Sequence, residues 1–378
     1  MAVHRNFEKQ CDNDAIESES EPKCPKIMFC DVPVSEELTT NKDGYIKLHR
    51  GLIIGKYEVK SKLGDGTYGR VVLAIDAVER RRVALKVTKN GEDTRKSAQK
   101  EIAVLKIIGN LDLLDNIPCI KMLDCFNYGR HICIAFPCMA MDVLNYMKRN
   151  NFNPLSYHEL RDISRQLFLA LNFLHNNGIV HTDIKPDNIL LIDGSFRMEF
   201  CDRTKLLVRR LNCTTVRLCD FGLVSQNGEE RNYKITAREY RAPEVILRMT
   251  WTYTTDIWSA GCTLMELYTG NLLFPVKKSM QHLAMMECKL GRIPTNMVKT
   301  SGTTYFKNGV VNWKWDKTKP YFQQHCQALK DYRLEKCEED NQFFEMIQLM
   351  LQLEPSRRIP LSEALKLPFF ENNSSASS

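Results

Sequence analysis

The chain has 378 residues, 43% hydrophobic and 26% charged, with a formal charge of +7. That length can bury a large core in one two-lobed domain or two ordinary ones, and the balance is that of a soluble globular protein. The mild charge comes without a long basic block or an aromatic–basic alternation, and no apolar run approaches the length of a spanning helix, so neither nucleic acid nor membrane is expected as a partner.

Fourteen cysteines are scattered without a C-x-x-C pair, and the start, "MAVHRNFEKQ", has no apolar signal core. Reduced thiols inside a cell are expected, rather than a disulfide framework or a zinc site. Residues 1–50 mix acidic, basic and serine residues with few periodic apolar positions, and "ESESEPKCPK" reads as linker. A disordered extension is expected there. From "GKYEVKSKLG" the texture turns strand-like, at Tyr57, Val59 and Leu63, then in "RVVLAID" and "RRVALKVTK". The basic cluster "ERRRVALK" reads as a solvated turn entering a strand. "SAQKEIAVLKIIGNL" places Ile102, Leu105 and Ile108 at helical spacing. After about residue 141 the chain turns mainly helical, as in "HELRDISRQLFLALNFLHNNG", whose last glycine is a helix stop. The polar tail, 372–378, is expected to fray. Strands first and helices later predict an α+β protein, with a small sheet-rich lobe over about 57–139 and a larger helical lobe over about 140–371.

The stretch "LGDGTYGRV" runs Leu63, Gly64, Asp65, Gly66, Thr67, Tyr68, Gly69, Arg70, Val71. Glycines bring backbone N–H groups close to phosphates with no Cβ in the way. A dinucleotide-binding turn needs a helix directly after the glycines. "VVLAID" is a strand, so that reading fails. Lys86 follows in the apolar strand "VALK", where burying a lone ammonium is costly. In isolation it is as well an ordinary strand lysine with its head in solvent. Glu101, on the helical face, is the carboxylate that can pair with it and so hold nucleotide phosphates.

In "HTDIKPDNILL", Asp183, Lys185 and Asn188 crowd together. Asp183 can accept the proton of an attacking hydroxyl, Lys185 can neutralise a transferring phosphoryl group, and Asn188 can bind a metal. The second metal ligand is expected to be Asp220 in "CDFGL". Phosphoryl transfer needs positioning and charge neutralisation more than covalent chemistry, and these residue types supply both. Each piece alone has a plain reading as a hairpin, a turn or a surface pair. Their order, ending in "APE" at 242–244, excludes coincidence.

On these motifs the chain resembles eukaryotic protein kinases over residues 57–371. "QHLAMMECKLGRIP", 281–294, is similar to the signature of the LAMMER (CDC-like, dual-specificity) family of the CMGC group, with Cys288 where arginine is usual. "HTD" and "REYRAPEVIL" resemble that family and the neighbouring SR-protein kinases; the "LAMME" run favours the former. The resemblance implies ATP with Mg²⁺ or Mn²⁺. It implies adenine held by Val71, Ala84 and Leu190, with Cys219 behind, Phe136 as gatekeeper, and hinge contacts at Pro137 and Met139. It further implies a hydrophobic column of His181, Phe221 and Leu105, a Glu244–Arg358 pair, and Asp256 bracing the catalytic loop. The implied substrates are protein hydroxyls in arginine-serine-rich splicing factors, the location nuclear (cytoplasm is the alternative), and the state monomeric.

Several positions depart from the family pattern or bear on substrate. Thr182 stands where many kinases carry an arginine that reads an activation-segment phosphate, so activity without that phosphorylation, at Thr236 or Tyr233, is expected. Ala237 replaces a threonine that touches the catalytic Asp and Lys, with Thr236 one place early as a substitute; a pseudokinase scaffold is the rival reading. Glu229, Glu230 and Glu239 suit a basic substrate, or are ordinary loop glutamates. Between Asn188 and Asp220 an inserted strand pair or loop is expected, its "RR" solvated.

Overall fold

The computed structural model describes residues 31–32, 40–66, 68–202, 204–226, 235–314, 320 and 325–371. Seven strands build the sheet of the first lobe: β1 (Asp31–Val32), β2 (Ile53–Ile54), β3 (Tyr57–Gly66), β4 (Gly69–Asp76), β5 (Arg82–Thr88), β6 (Asp124–Tyr128) and β7 (His131–Pro137). Their spatial order is β1-β6-β7-β5-β4-β3-β2, antiparallel except where β1 lies parallel to β6. Because side chains alternate across a strand, one face buries Tyr57, Val59, Val72, Ala74, Val83, Leu85 and Val87. The same alternation turns Val71, Ala84 and Lys86 to the other face, with Val71 opposite Lys86 in the β4–β5 register. A one-residue slip would put Lys86 into the apolar layer, so burial itself holds the register.

Helix α1 (Glu92–Leu111) packs on that second face through Ile102, Leu105 and Ile108. It starts ahead of the predicted stretch, with Glu92 and Asp93 in its first turn, where acidic side chains meet the positive end of the helix dipole.

Two expectations are corrected. Part of the segment taken as a disordered extension is built into the lobe: Thr40 bridges to Ile46, and Ile46 is buried in the core with Leu48 and Leu52 against it. Three apolar residues spaced irregularly among charges show no period, so only tertiary packing reveals them. Residues 1–30 and 33–39, and the tail 372–378, lie outside the described residues.

The second lobe begins with β8 (Met141–Asp142) and α2 (Val143–Arg149), capped by Asp142, whose carboxylate accepts from the Asn145 amide. Helix α3 (Tyr157–Asn176) opens on a capping box between Ser156 and Glu159. Then come β9 (Ile179–Val180), β10 (Ile189–Leu191), the hairpin β11 (Phe196–Cys201) and β12 (Leu206–Leu211), and β13 (Val216–Leu218). Helices α4 (Pro243–Ile246), α5 (Thr254–Thr269), α6 (Ser279–Leu290), α7 (Thr295–Thr300), α8 (Glu338–Met350) and α9 (Leu361–Ala364) complete the lobe. Helix α5 is buried along almost its whole length, with its buried Asp256 and Glu266 satisfied by hydrogen bonds from His181, Thr182 and Tyr240. It contacts α3 and α8.

The insertion is the predicted strand pair, but its arginines are not both solvated. Arg210 is buried, 3.5 Å from the Glu159 carboxylate and donating to the Pro154 carbonyl at 2.9 Å. Arg209 lies over the Phe196 ring. The Glu159 of the helix cap supplies the partner that makes burial of Arg210 tolerable. The eleven described cysteines are free, and no described helix is long and apolar enough to cross a membrane.

Candidate active site

A cleft of about 850 Å³ lies between the lobes. Its roof is the β3–β4 hairpin. Gly64 and Gly66 face open space, where a Cβ would meet nothing within 4 Å or only the Gly69 carbonyl at 3.8 Å. Gly69 is different: a Cβ there would lie 2.3 Å from the Val87 carbonyl oxygen. The third glycine is required by packing on β5, and the first two leave the roof open toward the cleft.

Lys86 leaves β5 toward α1 and meets both Glu101 oxygens at 2.8 and 2.9 Å and Asp220 Oδ1 at 3.0 Å. Burial opposes the charge on Lys86, but the Glu101 and Asp220 carboxylates outweigh it and hold the ammonium above the ordinary lysine value. Lys86 in turn holds the Asp220 carboxyl below its usual range, against a smaller effect of burial. Asp220 has φ 65°, left-handed backbone that a non-glycine residue adopts only when its surroundings impose it. One constraint is visible next door, where Ser97 on α1 donates to the Gly222 carbonyl at 2.6 Å.

On the floor, β10 pairs with β13 and with β8, and this small sheet carries the segment 181–188 on one side and Asp220 on the other. Lys185 Nζ donates to Asp183 Oδ2 at 2.7 Å. Asn188 Nδ2 donates to the Asp183 carbonyl at 2.7 Å, which leaves the Asn188 amide oxygen as an acceptor. Burial works against the Lys185 ammonium, yet the bond to Asp183 keeps it raised.

The loop is braced from below. The amides of His181 and Thr182 both donate to the Asp256 carboxylate at 2.8 Å, from the start of α5. His181 and Phe221 meet edge to face at 5.4 Å, and Phe221 belongs with Leu105 to one buried cluster that joins the lobes. Glu244 and Arg358 form a fully buried bidentate pair at 2.6 and 2.7 Å.

Each predicted cleft residue that is described, namely Leu63, Gly64, Asp65, Gly66, Tyr68, Gly69, Val71, Ala84, Lys86, Glu101, Phe136, Pro137, Met139, Asp183, Lys185, Asn188, Leu190, Cys219 and Asp220, lines this one cavity. Thr67, Tyr233, Glu229 and Glu230 lie outside the described residues. The Thr236 hydroxyl does not stand in for the missing threonine: it is buried and donates to the Ile235 carbonyl. Instead the Ala237 amide donates to Asp183 Oδ1 at 3.3 Å, and Arg241 pins the turn through the carbonyls of Ile235 and Thr236.

Sequence reasoning missed Ile120, Asp142 and Asp187 as lining residues. Only Asp187 had a signal, its place inside the 181–191 motif. Burial pushes its carboxyl up. Near it Glu266, buried and accepting from Tyr240 at 2.5 Å, is pushed up to about 7 by burial, with Asp187 and Glu239 adding repulsion.

The described residues hold no group of three or more His, Cys, Asp or Glu that suits a metal ion. Asn188 and Asp220 offer hard oxygen donors, the set that binds a divalent cation together with nucleotide phosphates rather than in an all-protein cage.

The protein kinase domain profile matches residues 57–370. The chain is 38% identical over 342 residues to the dual specificity protein kinase CLK2 of Homo sapiens, covering 89% of this chain and 68% of that one. It is 38% identical to the serine/threonine-protein kinase Doa of Drosophila melanogaster, covering 87% of this chain and 40% of Doa. A crystal structure of a kinase domain superposes with a TM-score of 0.80 at 32% identity, covering 88% of this chain and all of that one.

Proposed function

The chain belongs to the protein kinase family, in its LAMMER dual-specificity branch, and from that premise we propose how its residues move the γ-phosphate of ATP to a protein hydroxyl. The observation that carries the proposal is the single charged constellation of Lys86, Glu101 and Asp220 above Asp183, Lys185 and Asn188.

Val71, Ala84 and Leu190 enclose the adenine, with Phe136 and Cys219 at its back and the Pro137 carbonyl and Met139 amide on its edge. Lys86, oriented by Glu101, clamps the α- and β-phosphates beneath the glycine-rich hairpin. Asn188 and Asp220 hold Mg²⁺ or Mn²⁺, which when bound neutralises phosphate charge. Asp183 orients the acceptor hydroxyl and takes its proton, while Lys185 offsets the charge on the transferring group. The bond from γ-phosphorus to the bridging oxygen breaks as the bond to the acceptor oxygen forms, and ADP leaves.

Arginine-serine-rich proteins are the proposed substrates. The support is the trio Asp187, Glu239 and Glu266: burial raises the Glu266 carboxyl, the Asp187 and Glu239 charges add repulsion to it, and an arginine guanidinium from a substrate relieves that repulsion. The Ala237 amide bonded to Asp183 supports catalysis over a scaffold role, since the lost threonine has a backbone replacement. A monomer working in the nucleus completes the proposal.

The test is phosphate transfer from Mg-ATP to an arginine-serine peptide and to an acidic scrambled peptide, with wild type and Asp183→Asn. Transfer to the basic peptide that drops at least about 100-fold in the variant supports reaction and substrate class together. Equal transfer to both peptides removes the arginine preference and leaves the kinase.

A further inference from the structure

The chain ahead of the matched kinase region packs against the glycine-rich hairpin. Residues 40–46 form a closed turn: the Asn41 amide donates to the Tyr45 carbonyl at 2.7 Å, and the Tyr45 amide donates back to Asn41 Oδ1 at 2.8 Å. Four ties fasten this turn to the lobe. Ile46 is 1% exposed in the core. Arg70 Nη1 donates to the Ile46 carbonyl at 2.7 Å, and the Asn90 amide donates to the Gly44 carbonyl at 2.8 Å. Thr40 Oγ1 meets His131 Nε2 at 2.9 Å.

The turn presents Tyr45 to the loop. The Arg70 guanidinium lies 5.0 Å and the Lys89 ammonium 4.8 Å from the centre of its ring. Arg70 follows Gly69 and pairs with Asp65 at 3.3 Å, inside the glycine-rich stretch. The Lys89 amide donates to the Tyr68 carbonyl at 2.8 Å. The Tyr45 hydroxyl reaches toward the Gly66 carbonyl at 3.4 Å. One side chain therefore engages β4 at Arg70 and the chain just past β5 at Lys89, and approaches the middle glycine.

We propose that Tyr45 is a positioning residue for the nucleotide phosphates, acting through the glycine-rich loop. The proposal rests on the ATP site described above. Gly64 and Gly66 carry no side chain to pack, only their β4 pairing to Val71 and Gly69, and glycine loses more conformational freedom on ordering than any other residue. A loop left free must be ordered at the expense of nucleotide binding; a loop already held by Tyr45 has part of that ordering done before ATP arrives. The cation–π contacts, not the long hydroxyl contact, carry most of the hold.

The prediction is specific to phosphate-bearing ligands, because the adenine contacts lie elsewhere in the cleft. In the full chain, Tyr45→Leu keeps apolar bulk and removes the ring face; it raises KM for ATP and Kd for ADP about threefold to tenfold and leaves kcat and adenosine binding unchanged. Tyr45→Phe keeps the ring between the two cations and stays within about twofold of wild type. If Tyr45→Leu disturbs folding of the lobe, seen as a lowered Tm, Lys89→Gln removes one cation and leaves the Ile46 anchor, and ATP and adenosine are compared in the same way. Equal loss of ATP and adenosine, or no change in either, overturns the inference. A wild type that binds ATP but transfers no phosphate defeats the kinase reading instead, and the binding ratios still decide the role of Tyr45.

Discussion

The Thr236 amide donates to the Thr182 carbonyl at 2.9 Å, joining the end of the activation segment to the catalytic loop without any charged group. Both residues have positive φ, 59° and 66°. The Thr182 hydroxyl also donates to the Leu223 carbonyl at 2.7 Å, just beyond the Asp-Phe-Gly turn. Where an arginine would wait for a phosphate, neutral hydrogen bonds already connect three segments.

Activity should therefore be insensitive to dephosphorylation. Phosphatase-treated protein is expected to keep kcat/KM within about twofold of the untreated protein, since the buried Thr236 hydroxyl is engaged with the Ile235 carbonyl. Thr182→Ala deletes the tie to Leu223 and is expected to cost about 1 kcal/mol in stability with a loss of kcat. A large activation by an upstream kinase would refute the scheme.

Lys86→Met leaves the Glu101 and Asp220 carboxylates facing each other across the site. A fall of about 100-fold or more in kcat/KM is expected. Lys86→Arg should rescue poorly, because a planar fork cannot take the place of one ammonium touching three carboxylate oxygens. Steady-state kinetics on both variants, with ATP affinity measured separately, check this.

Under the proposed arginine-serine substrate class, Glu266 is expected to make substrate recognition depend on pH. With its carboxyl pushed up to about 7, it is mostly protonated at the acid side of neutrality and charged on the basic side. KM for an arginine-serine peptide should fall as pH rises through about 7, and Glu266→Gln should flatten the profile. The stability effect runs the other way. The native state holds a proton that the unfolded chain releases at the ordinary glutamate value, so this contribution is full below that value and is lost as pH rises through about 7. A KM that is flat in wild type across this range removes Glu266 from substrate binding.

Arg358→Ala strands the Glu244 carboxylate in a site that is 0% exposed. The expected loss is about 3–5 kcal/mol by denaturant unfolding, because a buried charge without its partner keeps its desolvation cost. The same variant should leave KM for ATP unchanged in whatever fraction stays folded, since the pair lies outside the cleft.

The reacting groups were legible because each sits in a short contiguous motif whose spacing reflects one local turn. Asp183, Lys185 and Asn188 fall within eight residues that form a single loop and a 3₁₀ turn, so local chain geometry alone brings them together. The strands were legible from alternation, and the main helices from their apolar period. The start of α1 was not, because its first turn is acidic and exposed and shows no period.

What the sequence by itself determined is the set of chemical groups and the class of fold that carries them. Tertiary structure alone decided which distant groups meet: Lys86 with Asp220, 134 residues on, and Arg358 with Glu244, 114 residues back. It also buried Arg210 against Glu159 and laid Tyr45 against the glycine-rich loop. Such pairings depend on how complete elements pack, and packing between elements leaves no periodic mark on either segment.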